Sequence, residues 1–104
     1  IQNTISEADN KKNILVNKVK AKQIEVQTLL NQYNLYTRTV KSYEQLWLAE
    51  KKLFERGESS LFMINNREMG FINAQLKLNE IYAKNKSVSL ELIYAFGQLS
   101  TLEF

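Results

Sequence analysis

The sequence predicts an all-α fold, a long antiparallel α-helical hairpin. Three observations carry this. The 104 residues contain no proline and only three glycines, where average usage would give about five and seven. Apolar residues recur at alternating steps of three and four through both halves of the chain. One short segment rich in Gly and Ser interrupts them near the middle. Scarce turn residues argue against a sandwich, a barrel or any loop-rich fold. With 44% hydrophobic and 11% aromatic residues the chain is not a disordered one.

The first helix is expected over about residues 5–56. Its stripe is Ile5, Ala8, Lys12, Leu15, Val19, Lys22, Val26, Leu29, Tyr33, Tyr36, Val40, Tyr43, Trp47, Glu50 and Phe54. Only Lys12, Lys22 and Glu50 break it, so it reads as a coiled-coil seam. Leu30, Leu46, Leu48 and Leu53 lie off the stripe and widen the apolar surface. The second helix is expected over about 61–100. Its stripe is Ile64, Arg67, Phe71, Ala74, Leu78, Ile81, Asn85, Val88, Leu92, Ala95, Leu99 and Leu102. A flanking set, Phe62, Met69, Leu76, Ala83 and Leu90, recurs every seven residues. Helices with more than one apolar flank pack against more than one neighbour. Burying a leucine contributes roughly 1.5–3 kcal/mol, so the surplus flanks predict a stable oligomer.

Between the helices, about 57–60 form the turn. Gly57 suits the left-handed position just past a helix end. Arg56 places positive charge at the negative end of the first helix. Ser59 or Ser60 can cap the second by accepting from a free amide. So short a connection makes the helices antiparallel neighbours, and residues 1–104 form one hairpin domain.

Composition narrows the chemistry. Without Cys or His there is no disulfide, no usual zinc site and no Ser-His or Cys-His pair, so neither metal nor cofactor is expected. No apolar run approaches the length of a membrane span and no signal peptide opens the chain. A start at Ile1, in mid-pattern, suggests a piece of something longer. Glu50, Glu55, Glu58, Glu68 and Glu80 are scattered, and Glu55 and Glu58 flank an exposed turn where a carboxyl is hard to tune. An enzyme is therefore not expected.

Charge is uneven. Residues 1–56 carry ten basic and six acidic side chains, and 57–104 carry four and five. Lys11, Lys12, Lys18, Lys20 and Lys22 could meet an anionic partner, but a solvated helix face is the favoured reading. No nucleic-acid motif accompanies them. The ladder Tyr33, Tyr36, Tyr43 and Trp47 reads as interface core rather than a ligand site. Asn85-Lys86-Ser87 matches a glycosylation sequon but lies within a helix and is discounted. Gly70 costs a helix about 1 kcal/mol relative to Ala, and close helix–helix approach explains it better than a hinge.

One stretch is also recognisable. Ala49-Glu50-Lys51-Lys52-Leu53-Phe54-Glu55-Arg56-Gly57-Glu58-Ser59-Ser60-Leu61-Phe62-Met63-Ile64-Asn65-Asn66-Arg67-Glu68 resembles the last helical hairpin of TolC-family outer membrane efflux proteins. Ala74-Gln75-Leu76-Lys77-Leu78 and Leu92-Ile93-Tyr94-Ala95-Phe96-Gly97 match two further family elements, and residues 1–45 match mainly in helical pattern. The Gly-Glu-Ser-Ser-Leu-Phe run resembles the variant of Bacteroidetes-type members. The resemblance implies a hairpin within a trimeric channel, whose outer-membrane β-barrel continues into a periplasmic α-barrel. It makes Arg56, Gly57, Glu58, Ser59 and Ser60 the periplasmic tip, where a periplasmic adaptor protein docks and links the channel to an inner-membrane pump. Phe54 and Leu61 would brace that tip. Some members carry acidic residues at an entrance constriction, where this chain has Met63 and Asn66, leaving a polar or apolar constriction instead. The alternative is a coiled-coil interaction or adaptor-type α-hairpin without a channel role.

Overall fold

In a computed structural model, described here for the backbone of residues 2–103 and the side chains of 7–101, the chain forms two helices. Helix α1 is Gln2–Glu55 and α2 is Leu61–Glu103. Both run further at their outer ends than the sequence bounds of 5 and 100, since nothing there interrupts the backbone hydrogen-bond ladder. At the turn α1 stops one residue earlier than expected, at Glu55. The Arg56 amide is shared between the Lys52 and Leu53 carbonyls at 3.3 and 3.1 Å, which already belongs to the closing turn. No strand occurs among the described residues.

The chain divides into two compact units. One is Asn31–Ala83, containing the turn. The other joins residues up to Leu30 with residues from Lys84 onward. In the Asn31–Ala83 unit the helices run antiparallel. Tyr33 meets Tyr82 with ring centroids 6.0 Å apart, and Trp47 stacks on Phe71 at 5.5 Å. Closer to the turn, Glu50 meets Arg67. In the other unit Lys22 pairs with Glu91.

The core follows the two stripes. Val19, Leu29, Ala74, Ile81, Val88 and Ala95 are buried. On α2 the buried residues are seven apart, and the alternate stripe positions Phe71, Leu78, Asn85 and Leu92 are half-buried. This is the pattern of a helix that offers one narrow seam to one partner. Stripe members Ile5 and Leu102 lie outside the residues whose side chains are described. Gly70 is where the backbones come close. A Cβ there would sit 3.0 and 3.1 Å from ring carbons of Tyr43, so glycine makes room for the tyrosine ring, as close approach requires.

Much apolar surface stays in water. Among the described residues eighteen large hydrophobic side chains are exposed, including Phe62 at 76%, Leu90 at 67% and Met69 at 61%. That follows from geometry, since a two-helix pair can cover only the facing side of each helix.

Candidate functional site: the hairpin tip

The tip is built by two opposed end caps. Gly57 has φ +75°, the left-handed conformation in which a Cβ is penalised. Its amide donates to the Phe54 carbonyl at 2.9 Å, and the Glu58 amide donates to the Leu53 carbonyl at 2.8 Å. These are the two bonds of a Schellman motif, and they satisfy carbonyls that α1 would otherwise leave open. Nothing lies within 4 Å of a Cβ placed on Gly57. Glycine is therefore needed for its conformation, not for space.

Of the two candidate caps, Ser60 caps α2. Its Oγ accepts from the Met63 amide at 3.2 Å, and its carbonyl accepts from the Ile64 amide at 3.1 Å. The third residue of α2 is Met63, so no side chain completes a reciprocal capping box.

Ser59 has a different role. Its Oγ donates to Glu50 Oε2 at 2.9 Å, while Arg67 Nε reaches Glu50 Oε1 at 3.4 Å. Glu50 is 8% exposed and so is a buried carboxylate held by one hydroxyl and one guanidinium. A buried charge is tolerated only when paired and hydrogen-bonded. The polar breaks at Glu50 and Arg67, one in each stripe, thus meet each other and tie the turn to both helices. The sequence marked both residues as departures from the seam. It did not link Glu50 to Ser59, nine residues away, because that link depends on how the turn folds back.

Above this anchor stands an aromatic layer. Trp47 lies between Phe71, stacked at 23°, and Lys51, whose Nζ is 3.8 Å from the ring centroid. The Trp47 Nε1–H is buried without an acceptor among the described residues. The aromatic ladder thus serves the interface: Tyr33 and Trp47 contact aromatic rings of α2, and Tyr43 covers Gly70.

Arg56, Gly57, Glu58 and Ser60 are exposed and Ser59 is half-buried. Phe54 and Leu61 are 40% and 63% exposed, while Met63 is half-buried and Asn66 exposed. The tip therefore presents one cation, one anion and two apolar side chains to solvent on a backbone fixed by five hydrogen bonds.

Elsewhere the surface is shallow. A cleft of about 450 Å³ is lined by Lys11, Ile14, Leu15, Gln98 and Thr101. Two smaller ones, about 290 and 350 Å³, share Tyr43, Gly70 and Asn73. None gathers converging carboxylates. No group of metal-ligating side chains and no helix long and apolar enough to cross a membrane occurs among the described residues. In the basic segment, Lys11, Lys12, Lys18 and Lys20 are exposed. Lys22 bridges Glu25 at 3.5 Å and Glu91. The hydrogen bond to Glu91 raises the Lys22 pKa, and the same bond holds the Glu91 carboxyl below its ordinary value.

No protein-family model, curated protein or solved structure matches the chain.

Proposed function

We propose that the chain is an end-on docking hairpin: the periplasmic helical segment of an outer membrane efflux channel subunit, whose tip receives a periplasmic adaptor. The observation that carries this reading is the tip. Its conformation is fixed by the Schellman turn, the Ser60 cap and the Glu50 anchor, while Arg56, Glu58 and Leu61 face solvent. A rigid backbone with exposed charges and an apolar rim lowers the entropy cost of docking. The sequence resemblance over residues 49–68 supplies the identity of the partner. In this reading the subunit is a trimer, and its role is passive conduction of small molecules or proteins. Energy comes from an inner-membrane pump reached through the adaptor, and Met63 and Asn66 stand at the entrance constriction.

The exposed apolar side of α2 also suits a second reading, a coiled-coil interaction or adaptor-type hairpin with no channel. The flanking sequence of the full protein separates the two: a second helical repeat with amphipathic strands belongs to a channel, and lipoyl-type strands belong to an adaptor.

The test is export by the full-length protein carrying Arg56→Glu or Gly57→Leu. Export should fall while the assembled subunit persists in the membrane. Unchanged export with both variants would refute the tip assignment.

A further inference from the structure

Arg67 is only partly used by the anchor it serves. Its Nε donates to Glu50 Oε1 at 3.4 Å, and its Nη nitrogens make no hydrogen bond or ion pair among the described residues. Glu50 is buried and Arg67 half-buried, so the guanidinium is held from the core side and keeps free donors on the other. Beside it lies a cleft of about 350 Å³, lined by Tyr43, Asn66, Arg67, Met69, Gly70 and Asn73. All six belong to the Asn31–Ala83 unit. The cleft depends on Gly70. With no side chain there, the Tyr43 ring lies against the α2 backbone, 3.0 Å from where a Cβ would stand, and the space beside the ring stays open.

We infer that this cleft binds a small aromatic carboxylate, with Arg67 as the fork that holds the carboxylate group. Three features select that chemistry. The first is the donor set. Arg67, Asn66, Asn73 and the Tyr43 hydroxyl can all donate, and no carboxylate is among the lining residues. The side chains of Asn66, Asn73 and Tyr43 carry no hydrogen bond among the described residues. A planar guanidinium matches a carboxylate with two parallel bonds.

The second is the wall. Tyr43 and Met69 are both exposed. An incoming ring can stack on Tyr43 with an offset or meet it edge-on, and a methionine sulfur attracts an aromatic edge. A volume of about 350 Å³ lies at the small end of ligand sites, which suits one ring and its carboxylate.

The third is the contrast with the other clefts. Lys77, in the cleft of about 290 Å³, already pairs with Glu80 at 3.9 Å. Lys11 lines the cleft of about 450 Å³ together with Ile14, Leu15, Gln98 and Thr101, none of which can fix an ammonium by charge. Of the three cations, only Arg67 is oriented by a buried carboxylate.

Glu50 acts on this site in two opposed ways. It orients the guanidinium, and its negative charge repels a second carboxylate placed on the same cation. The result is selective but weak binding, with a Kd on the order of 1–10 mM for one substituted ring.

This site does not rest on the docking role of the tip, and its test leaves Arg56 and Gly57 untouched. The probe is benzoate, added to the whole chain while heteronuclear NMR follows the side-chain amides of Asn66 and Asn73 and the Arg67 Nε–H. These signals should move together along one saturable curve, and the side-chain amide of Gln45 should not move. Benzamide, the same ring without the charge, should bind about tenfold more weakly. Arg67→Lys keeps a cation beside Glu50 but loses the fork, and should weaken benzoate binding about tenfold. Asn73→Leu, at an exposed position away from the Glu50 anchor, should weaken it several-fold. Glu50→Gln keeps an acceptor for Arg67 and removes the competing charge, so it should tighten binding several-fold, a gain that a purely structural Arg67 would not give. Circular dichroism confirms that each variant is folded. Equal binding of benzoate and benzamide, or no saturable shift at Asn66 and Asn73, would overturn the proposal. Inorganic phosphate binding as well as benzoate would reduce the site to a general attraction for anions and overturn it too. Tighter binding of glutamate blocked at both ends would assign the cleft to an acidic side chain of a protein instead.

Discussion

The two units of the hairpin are held by different chemistry. In Asn31–Ala83 the helices meet through a buried carboxylate, a guanidinium, a serine hydroxyl and paired aromatic rings. In the unit formed by the terminal segments they meet through the aliphatic Val19, Leu29, Val88 and Ala95, with one ion pair at the surface. Aliphatic seams are forgiving, because side chains of similar volume substitute with modest loss. A buried charge pair is not forgiving: it demands one register and one turn geometry. The unit that contains the turn thus carries the specific contacts, and the unit formed by the terminal segments is held by bulk burial.

The largest expected effect lies at Glu50. Glu50→Ala leaves Ser59 without its acceptor and Arg67 without its partner, and should cost about 2 kcal/mol in urea unfolding. The figure is kept below that of a fully buried pair because Arg67 is 38% exposed. Changing both residues, as in Glu50→Leu with Arg67→Met, should recover most of that stability while amide exchange at Glu58 and Ser59 becomes faster. If exchange at the tip were unchanged in the double variant, Glu50 would be an ordinary core residue and not an anchor.

The glycines sharpen the same contrast with a smaller effect. Gly97 is helical, and nothing lies within 4 Å of an added Cβ. Gly97→Ala should therefore stabilise by about 0.5–1 kcal/mol. At Gly70 the same gain is opposed by the Tyr43 ring at 3.0 Å, and Gly70→Ala should be less stabilising or destabilising. Equal gains in thermal unfolding would mean that the Asn31–Ala83 unit is no more tightly fitted than the other.

The smallest effect belongs to the Lys22–Glu91 pair, in which Lys22 is half-buried and Glu91 exposed, so that it is open to screening by salt. Lys22 lowers the Glu91 pKa, so that stabilisation is present above the ordinary value of 4.5 and is lost as pH falls through the lowered one. Glu91 raises the Lys22 pKa, so its share is present below 10.5 and is lost as pH rises through the raised value. Between those limits the contribution is flat. Lys22→Gln should give a small loss near neutrality that vanishes in strong acid and in high salt. A loss that persists under both conditions would mean that the pair works through packing rather than charge.

How much of this was legible in the sequence depends on distance along the chain. Helix periods, the turn at Gly57 and the reason for Gly70 rest on local spacing, and they read directly. The partner of Glu50 does not, because the residues that meet across a hairpin are set by the register, and the turn fixes that register through hydrogen bonds between residues 53 and 58. The sequence likewise offers both Ser59 and Ser60 as caps, and the start of α2 at Leu61 selects Ser60.

Direct binding of the chain to a purified periplasmic adaptor of the proposed class tests end-on docking most directly. Titration calorimetry with the intact hairpin should show saturable binding that Arg56→Glu abolishes and Gln45→Ala, far from the tip, leaves unchanged. Absence of binding by the intact hairpin, or binding indifferent to Arg56→Glu, would contradict the docking role.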